Sequence, residues 1–555
     1  MSWEVWTMKS RTLFCKLLKK DITRFAPAWA LYTVFLMVCL PGVVAEQPFR
    51  FLRNLEWAVQ FMAAVQFVYA LICGELLYGD LYRTRLCCGL HALPVRREMW
   101  FFVHLTSGVL FALVPEVLAC AVGMLWGGQY RFAGLWWLLA VFAQYLFFFG
   151  SAVLAVQCAG NRFAASILYG ILHFFCGIAW LMYKELYEPL LYGVNKTMWL
   201  HLCPVGALLS GEYIQVESVY NGTFTQVISV CTGEALSWAA AYGAAGIAMM
   251  GLALLLYRRR RLETAGEMVA FEKLKPVFLG IFTVCAAAAL LVFAELFLSA
   301  DSTVGRWSFL TVGLCVGWFV GQMLLRRTVR VFRPKSFACL ALVLAAVFGS
   351  LLLTRADPLG VTRWVPESKD VASVTVLVHD REGKVDPQTA IDLHNLAMQK
   401  QENEQARFEA RLTLTYTLKN GRIVSRSYWV MEGTEAYDAM KSLSGSPAMI
   451  LGEGWEDMDS YIASIRYVEV DGQPLWREDI PGFLDAVLAD CLAGNMSQIW
   501  YYGDTVDPVE TIWMDIEYKG DTAHASRSFI VSSFCVNTMN WLEAHGYPVV
   551  SAKYQ

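Results

Sequence analysis

Charge is what this chain has least of: Asp, Glu, Lys and Arg make up 17% of 555 residues, against 57% hydrophobic residues. That balance excludes a soluble globular protein of this length. The signatures of common enzyme chemistry are missing too. No Gly-x-x-x-x-Gly-Lys-Ser/Thr phosphate loop occurs, and Gly383-Lys384 is followed by Val385, so nucleotide hydrolysis through that device is excluded. No Cys-x-x-Cys or Cys/His cluster has metal-site spacing. His379, His394, His524 and His545 are scattered, with no Ser-His-Asp order or nucleophile elbow around them. Glu456-Asp457-Met458-Asp459 lacks the glycine and the terminal glutamate of a calcium loop, and an acidic surface facing water is its ordinary explanation. The expectation is a chain with no catalytic residue, no metal and no cofactor of its own, and no nucleic acid among its partners.

What is present is a series of apolar runs. Segments 26–45, 56–78, 99–126, 132–158, 163–183, 236–257, 276–299, 308–327 and 335–354 are each long and apolar enough to cross a bilayer, which takes roughly 20 residues of helix. Residues 355–555 contain no such run. Residues 1–354 carry 28 Lys/Arg against 18 Asp/Glu, whereas residues 355–555 carry 17 against 30. The reading is a polytopic α-helical membrane protein of about nine spans, with a C-terminal α+β extracytoplasmic domain.

Orientation follows from where the basic residues fall. With the N-terminus inside, the five inward segments (9–24, 83–97, 162, 258–275 and 326–335) hold 22 Lys/Arg, and the outward loops hold six: Arg50, Arg53, Arg131, Lys184, Lys196 and Arg306. Basic residues near span ends stay on the cytoplasmic side, so the reverse orientation is rejected. Nine spans then place residues 355–555 outside a plasma membrane. Residues 1–25 read as an amphipathic helix in the headgroup layer, with Leu13, Phe14, Leu17, Leu18, Ile22 and Phe25 on one face and Lys9, Lys16, Lys19, Lys20 and Arg24 largely elsewhere. A solvated basic leader and a signal peptide cleaved after Ala45 are the alternatives.

Thirteen of the 15 cysteines lie in residues 1–354, most inside apolar runs, where Cys behaves as a small hydrophobe. Cys203 and Cys231 flank the long outward segment, and Cys491 and Cys535 are the pair in the tail. Either pair can bridge in an oxidising space; free thiols are the other state. Ionisable groups inside spans are costly and therefore informative. Glu116 follows Pro115 in the third span, His104 lies nearer its inner end, and His173 is central in the fifth. These three are candidates for an intramembrane polar path, against the plainer reading of satisfied contacts between helices. Glu295 can reach the headgroups. Gly313, Gly317 and Gly321 give the small-xxx-small spacing of close helix packing, within the chain or at a dimer seam.

Two inward loops go beyond ordinary basic anchors. One runs from Gly79-Asp80-Leu81-Tyr82-Arg83-Thr84-Arg85 to His91-Ala92-Leu93-Pro94-Val95-Arg96-Arg97-Glu98; the other is Tyr257-Arg258-Arg259-Arg260-Arg261-Leu262-Glu263-Thr264-Ala265-Gly266-Glu267. The polar element ending in Leu-Pro-Val-Arg-Arg-Glu, and the Arg-rich run into Glu-x-Ala-Gly, resemble the permease subunits of bacterial ABC exporters. The likeness is to a Gram-positive type with additional spans and an outside domain. It covers residues 1–275 well and 276–354 in outline. The resemblance implies a six-span permease module over 26–257 with a long outward segment at 184–235, a basic linker at 258–275 and three additional spans over 276–354. It further implies a separate ATP-binding subunit that hydrolyses ATP, and a second permease copy or paralogue. Its coupling element maps onto Asp80, Arg83, Arg85, His91, Pro94, Arg96, Arg97 and Glu98. Independently of any family, Pro94 fixes a turn, and Arg96 and Arg97 can pair with carboxylates of a docked partner.

The tail reads as α+β. Residues 372–380 are β-branched, 411–430 form two alternating runs around Lys419-Asn420-Gly421-Arg422, and 387–404 and 481–493 have helical patterns. Ala372-Ser373-Val374 is echoed by Ala463-Ser464-Ile465, and Ser425-Arg426-Ser427-Tyr428 by Ser526-Arg527-Ser528-Phe529. Two related units, about 372–445 and 462–546, are one explanation and chance is the other. The leading reading is therefore the transport subunit of an ATP-driven exporter, itself not an enzyme. The rival is a membrane receptor or regulator whose outer domain senses a ligand.

Overall fold

Apolar runs and helical periodicity give residues 2–356 a helical course, ordered along the chain as α1 (Ser2–Arg24), α2 (Ala26–Val43), α3 (Pro48–Leu77), α4 (Thr84–His91), α5 (Arg97–Trp126), α6 (Ala133–Cys158), α7 (Arg162–Leu186), α8 (Pro204–Leu209), α9 (Gly233–Arg259), α10 (Lys275–Leu298), α11 (Thr303–Arg326) and α12 (Pro334–Ala356). A short hairpin, β1 (Glu217–Tyr220) with β2 (Thr225–Ser229), lies between α8 and α9. The computed structural model describes residues 2–43, 48–92, 95–126, 132–194, 202–209, 217–220, 225–229, 233–298, 302–378, 381–399, 409–498, 511–518, 526–547 and 549. Two units result: residues 1–184 with 198–349, and residues 185–197 with 350–555.

In the first unit, eight helices among the described residues are long and apolar enough to cross a membrane, and the bent pair α1–α2 makes a ninth if it counts as one. The 63° bend has a local cause. Pro27 has no N–H to offer the Thr23 carbonyl, so the helix breaks there, and Trp29 Nε1 donates to the freed Ile22 carbonyl at 3.1 Å. Along α1, Leu13, Leu17, Leu18 and Ile22 are half-buried while Lys16, Lys19 and Lys20 are exposed, as an amphipathic helix requires. The centre of the unit is α6, 78% of whose apolar stretch is buried, compared with 11% for the outlying α12.

Two helix pairs approach closely because glycine permits it. A Cβ at Gly246 would lie 2.3 Å from the Leu146 carbonyl oxygen, and one at Gly150 would lie 2.3 Å from that of Gly246; α6 and α9 therefore touch backbone to backbone. The 313/317/321 stripe packs α11 on Ala287, Thr283 and Leu279 of α10, so it serves contact within the chain.

The second unit contains two four-stranded antiparallel sheets. The first comprises β3 (Val371–Val378), β4 (Arg381–Val385), β5 (Glu409–Leu418) and β6 (Ile423–Met431), in the order β4-β3-β5-β6, with α13 (Pro387–Met398) between β4 and β5 and α14 (Glu435–Ser444) after β6. Two short helices follow, α15 (Pro447–Ile450) and α16 (Met458–Ser464). The second sheet comprises β7 (Ile465–Val470), β8 (Gln473–Pro474), β9 (Thr511–Tyr518) and β10 (Ser526–Ser532), in the order β8-β7-β9-β10, with α17 (Ile480–Leu492) and α18 (Val536–Ala544) in the matching places. Both halves thus repeat one β-β-α-β-β-α course, and the two Ser-Arg-Ser motifs fall on the equivalent strands β6 and β10.

Local chemistry explains these elements. In β5, Ala410, Leu412, Leu414, Tyr416 and Leu418 are buried in alternation, the period of a half-solvated sheet. Asp386 caps α13 by accepting from Gln388 N and Thr389 N, with Pro387 in the first turn. Asp471 and Gly472 turn β7 into β8 with φ of 45° and 86°, the two-residue hairpin geometry. Buried Asp490 accepts from Asn495, Asn537 and Thr538, which holds the start of α18 against α17.

Several details differ from the sequence expectations. The helix expected over 387–404 ends at Met398, and residues 400–404 lie outside the described set. Strand β4 was not expected from its charged residues; charge on a sheet edge discourages further pairing. Part of the long outward segment belongs to the second unit: Ser427 N donates to the Gly193 carbonyl at 3.0 Å, Val194 bridges Arg426, and Tyr192 Oη donates to the Ala397 carbonyl. Cys203, Cys491 and Cys535 are free thiols, while Cys231 lies outside the described residues.

Candidate functional site

The basic segments of the first unit meet at one end of its helices. Arg24, at the end of α1, faces Asp80 at 3.6 Å. The Arg162 guanidinium lies beside Gly79, 3.2 Å from where a Cβ would stand. Arg97 Nη2 donates to the Arg260 carbonyl at 2.9 Å, and its guanidinium lies 4.7 Å from the centre of the Tyr257 ring. Gly266 N donates to the Gly160 carbonyl at 2.6 Å, and Arg327 lies next to Gly266. All five segments assigned inward by charge are joined by these contacts.

Arg260 is the joint of this hub. A helix leaves its last carbonyls without donors, and those of α6 are satisfied by the loop after α9. Arg260 Nη1 donates to the Val156 carbonyl at 2.9 Å and to that of Gln157 at 3.2 Å. Ala270 N takes the Cys158 carbonyl at 2.7 Å. Arg260 Nη2 reaches the Leu81 carbonyl of the turn before α4 at 3.5 Å. Only 3% of Arg260 is exposed, and burial pulls its pKa below the usual arginine value. Asn161 completes the seam by donating to the Glu267 carbonyl at 3.0 Å.

The eight candidates of the first inward loop divide by environment. Arg83, Arg85 and Arg96 are exposed. Asp80 pairs with Arg24, Glu98 pairs with Arg258 at 2.9 Å, and Arg97 turns inward onto Tyr257. His91 ends α4, but its side chain and all of Pro94 lie outside the described residues. A cavity of about 20 Å³ opens between Tyr78, Asp80, Trp100, His104 and Tyr257, enough for a water molecule.

The three intramembrane candidates occupy separate clusters, with no hydrogen bond joining one to another among the described residues. His104 Nδ1 lies 2.7 Å from Asp21 Oδ2, which also accepts from Ser107 Oγ at 3.3 Å. His173 Nε2 lies 2.8 Å from Ser151 Oγ, inside a shell of Phe67, Phe147, Phe148 and Tyr169. Glu116 Oε1 accepts from Tyr32 Oη at 3.0 Å and from Gln66 Nε2 at 2.9 Å. Pro115 leaves the Phe111 carbonyl without a helical donor, and Tyr69 Oη supplies one at 3.0 Å. Glu295, expected near the headgroups, pairs with Arg306 at 3.4 Å.

Sequence reasoning missed Asp21, Gln66 and Arg260. Asp21 carried a readable signal: it stands four residues from both Leu17 and Phe25, so it lies on the apolar face of α1. A carboxylate there needs a buried partner. Gln66 and Arg260 carried none, because their partners are distant in the chain. Compared with protein families, with curated proteins and with solved structures, the chain matches none.

Proposed function

We propose that this chain is a multi-pass membrane protein, the permease subunit of an ATP-driven ABC exporter, with its arginine hub in the cytosol and residues 355–555 outside. Large apolar side chains left on the helix exteriors support the membrane assignment, among them Leu31, Val38, Leu296, Phe297 and Leu342. Lipid is the solvent that accepts such a surface at low cost. The observation that carries the reading is the set of contacts that joins the five basic segments at one end of the unit; those segments hold 22 of the 28 Lys/Arg of residues 1–354. Basic residues gathered at one end mark the cytosolic side.

Arg83, Arg85 and Arg96 present exposed guanidinium groups there, suited to bidentate pairing with carboxylates of a soluble ATP-binding subunit. Arg260 and Arg97 bind the docking turn to α6 and α9, so a push on α4 reaches the helices. ATP is hydrolysed on the other chain, and a second permease copy or paralogue completes the pore. The outer unit receives substrate or senses an external ligand.

The test is affinity capture of the full chain from its own membranes. An ATPase is expected to accompany the wild type, and Arg83→Glu, Arg85→Glu and Arg96→Glu together should reduce its recovery at least tenfold. Undiminished recovery discredits the docking assignment. Absence of any ATPase, with no stimulated ATP turnover, favours a receptor or regulator.

A further inference from the structure

Glu116 is fully buried where α2, α3, α5 and α6 meet. One of its oxygens accepts from Tyr32 Oη and Gln66 Nε2. Gln66 Nε2 also donates to the Val141 carbonyl at 2.9 Å, which directs its amide. The other Glu116 oxygen, Oε2, and Gln66 Oε1 are buried acceptors with no partner among the described residues.

Two orphan acceptors at one buried site ask for a positive charge rather than for another oxygen. The titratable groups that interact with Glu116 are Tyr32 on α2, Tyr69 on α3 and Tyr145 on α6, with Cys73 behind the last two. All are neutral acids, and none supplies a cation. Among the described residues no Lys, Arg or His is hydrogen-bonded or ion-paired to Glu116. An unpaired carboxylate this deep carries a desolvation penalty that two neutral donors offset only in part.

We propose that Glu116 and Gln66 form a site for one small cation of unit charge, a proton or an alkali-metal ion, bound by Glu116 Oε2 and Gln66 Oε1. A proton needs those two oxygens alone. An alkali ion needs a fuller oxygen shell, for which Tyr32 Oη and the Val141 carbonyl are at hand. Occupancy holds α2 against α3, α5 and α6; loss of the cation leaves an uncompensated buried charge that loosens this packing. This site stands independently of any ATP-binding partner.

The experiment is thermal unfolding of the purified full chain in nanodiscs, in two arms. One varies pH in choline chloride; the other titrates Na⁺, K⁺ or Li⁺ against choline at fixed pH and ionic strength. Wild type should be stabilised saturably in one arm, which identifies the ion. Glu116→Gln, whose amide supplies its own donor, should lose that response. Glu116→Asp should need at least tenfold more of the same ion, which keeps the test informative if Glu116→Gln fails to fold. A wild type that responds in neither arm, or no more than Glu116→Gln does, overturns the site.

Discussion

Arg260→Met removes the joint of the hub, and its effect follows from hydrogen-bond accounting. The guanidinium makes two good hydrogen bonds, to the carbonyls of Val156 and Gln157, and a longer one to that of Leu81. Bonds from a charged donor contribute about 1.5–3 kcal/mol each. Burying that charge without a carboxylate costs several kcal/mol, so the apolar substitute recovers most of what is lost. What it does not recover is the pairing of two buried carbonyls, at about 1–3 kcal/mol each. Local opening of the last turn of α6 should thus become easier by about 3 kcal/mol, roughly 100-fold at 1.4 kcal/mol per decade. Hydrogen exchange of the intact chain in nanodiscs reads this at the amides of Gly266 and Ala270, which bond across the seam, and at that of Ala159, which bonds back to the Ala155 carbonyl at the end of α6. Arg260→Lys, without the planar fork, should fall between the two. Unchanged protection at these amides, or an equal loss throughout the first unit, would refute the reasoning.

Three further outcomes are expected. Asp21→Ala leaves His104 buried without its partner, which costs about 1–3 kcal/mol; trypsin should then cut faster at Lys16, Lys19 and Lys20, and Asp21→Asn should show less of the effect. Gly246→Ala drives a Cβ into the α6 backbone, whereas Gly251→Ala on the same helix meets nothing within 4 Å. The first should lose about 1–3 kcal/mol or more and reduce the yield of monodisperse protein, while the second should be neutral or stabilising by up to about 1 kcal/mol. In the second unit, burial, with Arg426 adding, depresses His394 from 6.5 to about 4, and the neutral ring bonds Tyr416 and Tyr428 at 3.0 and 2.7 Å. Because the folded value lies below the unfolded one, this contribution is whole above pH 6.5 and lost as pH falls toward 4, about 3 kcal/mol in all. Amide protection of β5 and β6, corrected for intrinsic exchange, should follow that slope in wild type and not in His394→Gln.

The long apolar helices were legible because each is an unbroken hydrophobic run of the length that a bilayer-crossing helix takes. The β5–β6 hairpin was legible because Asn420-Gly421 sits between two alternating runs, with Gly421 at φ 80°. The Ser-Arg-Ser echo, open in the sequence between duplication and chance, falls on the equivalently placed strands β6 and β10. What escaped reading depends on contacts between distant segments. Nothing near Arg260 distinguishes it from Arg258, Arg259 and Arg261, yet it alone of the four is buried. Arg97 looked like a free docking cation beside Arg96, and only the fold turns it onto Tyr257. The strand-like pairing of Gly193 and Val194 with β6 joins positions more than 200 residues apart, beyond the reach of local pattern.

The side of the membrane on which the hub lies can be measured by introducing Arg96→Cys into a chain whose natural cysteines have been replaced, then treating intact cells with a membrane-impermeant maleimide. Position 96 should stay unlabelled until the cells are opened, while a cysteine introduced at exposed Trp476 should label at once. Prompt labelling at 96, or protection at 476, would contradict a cytosolic hub that docks a nucleotide-hydrolysing partner.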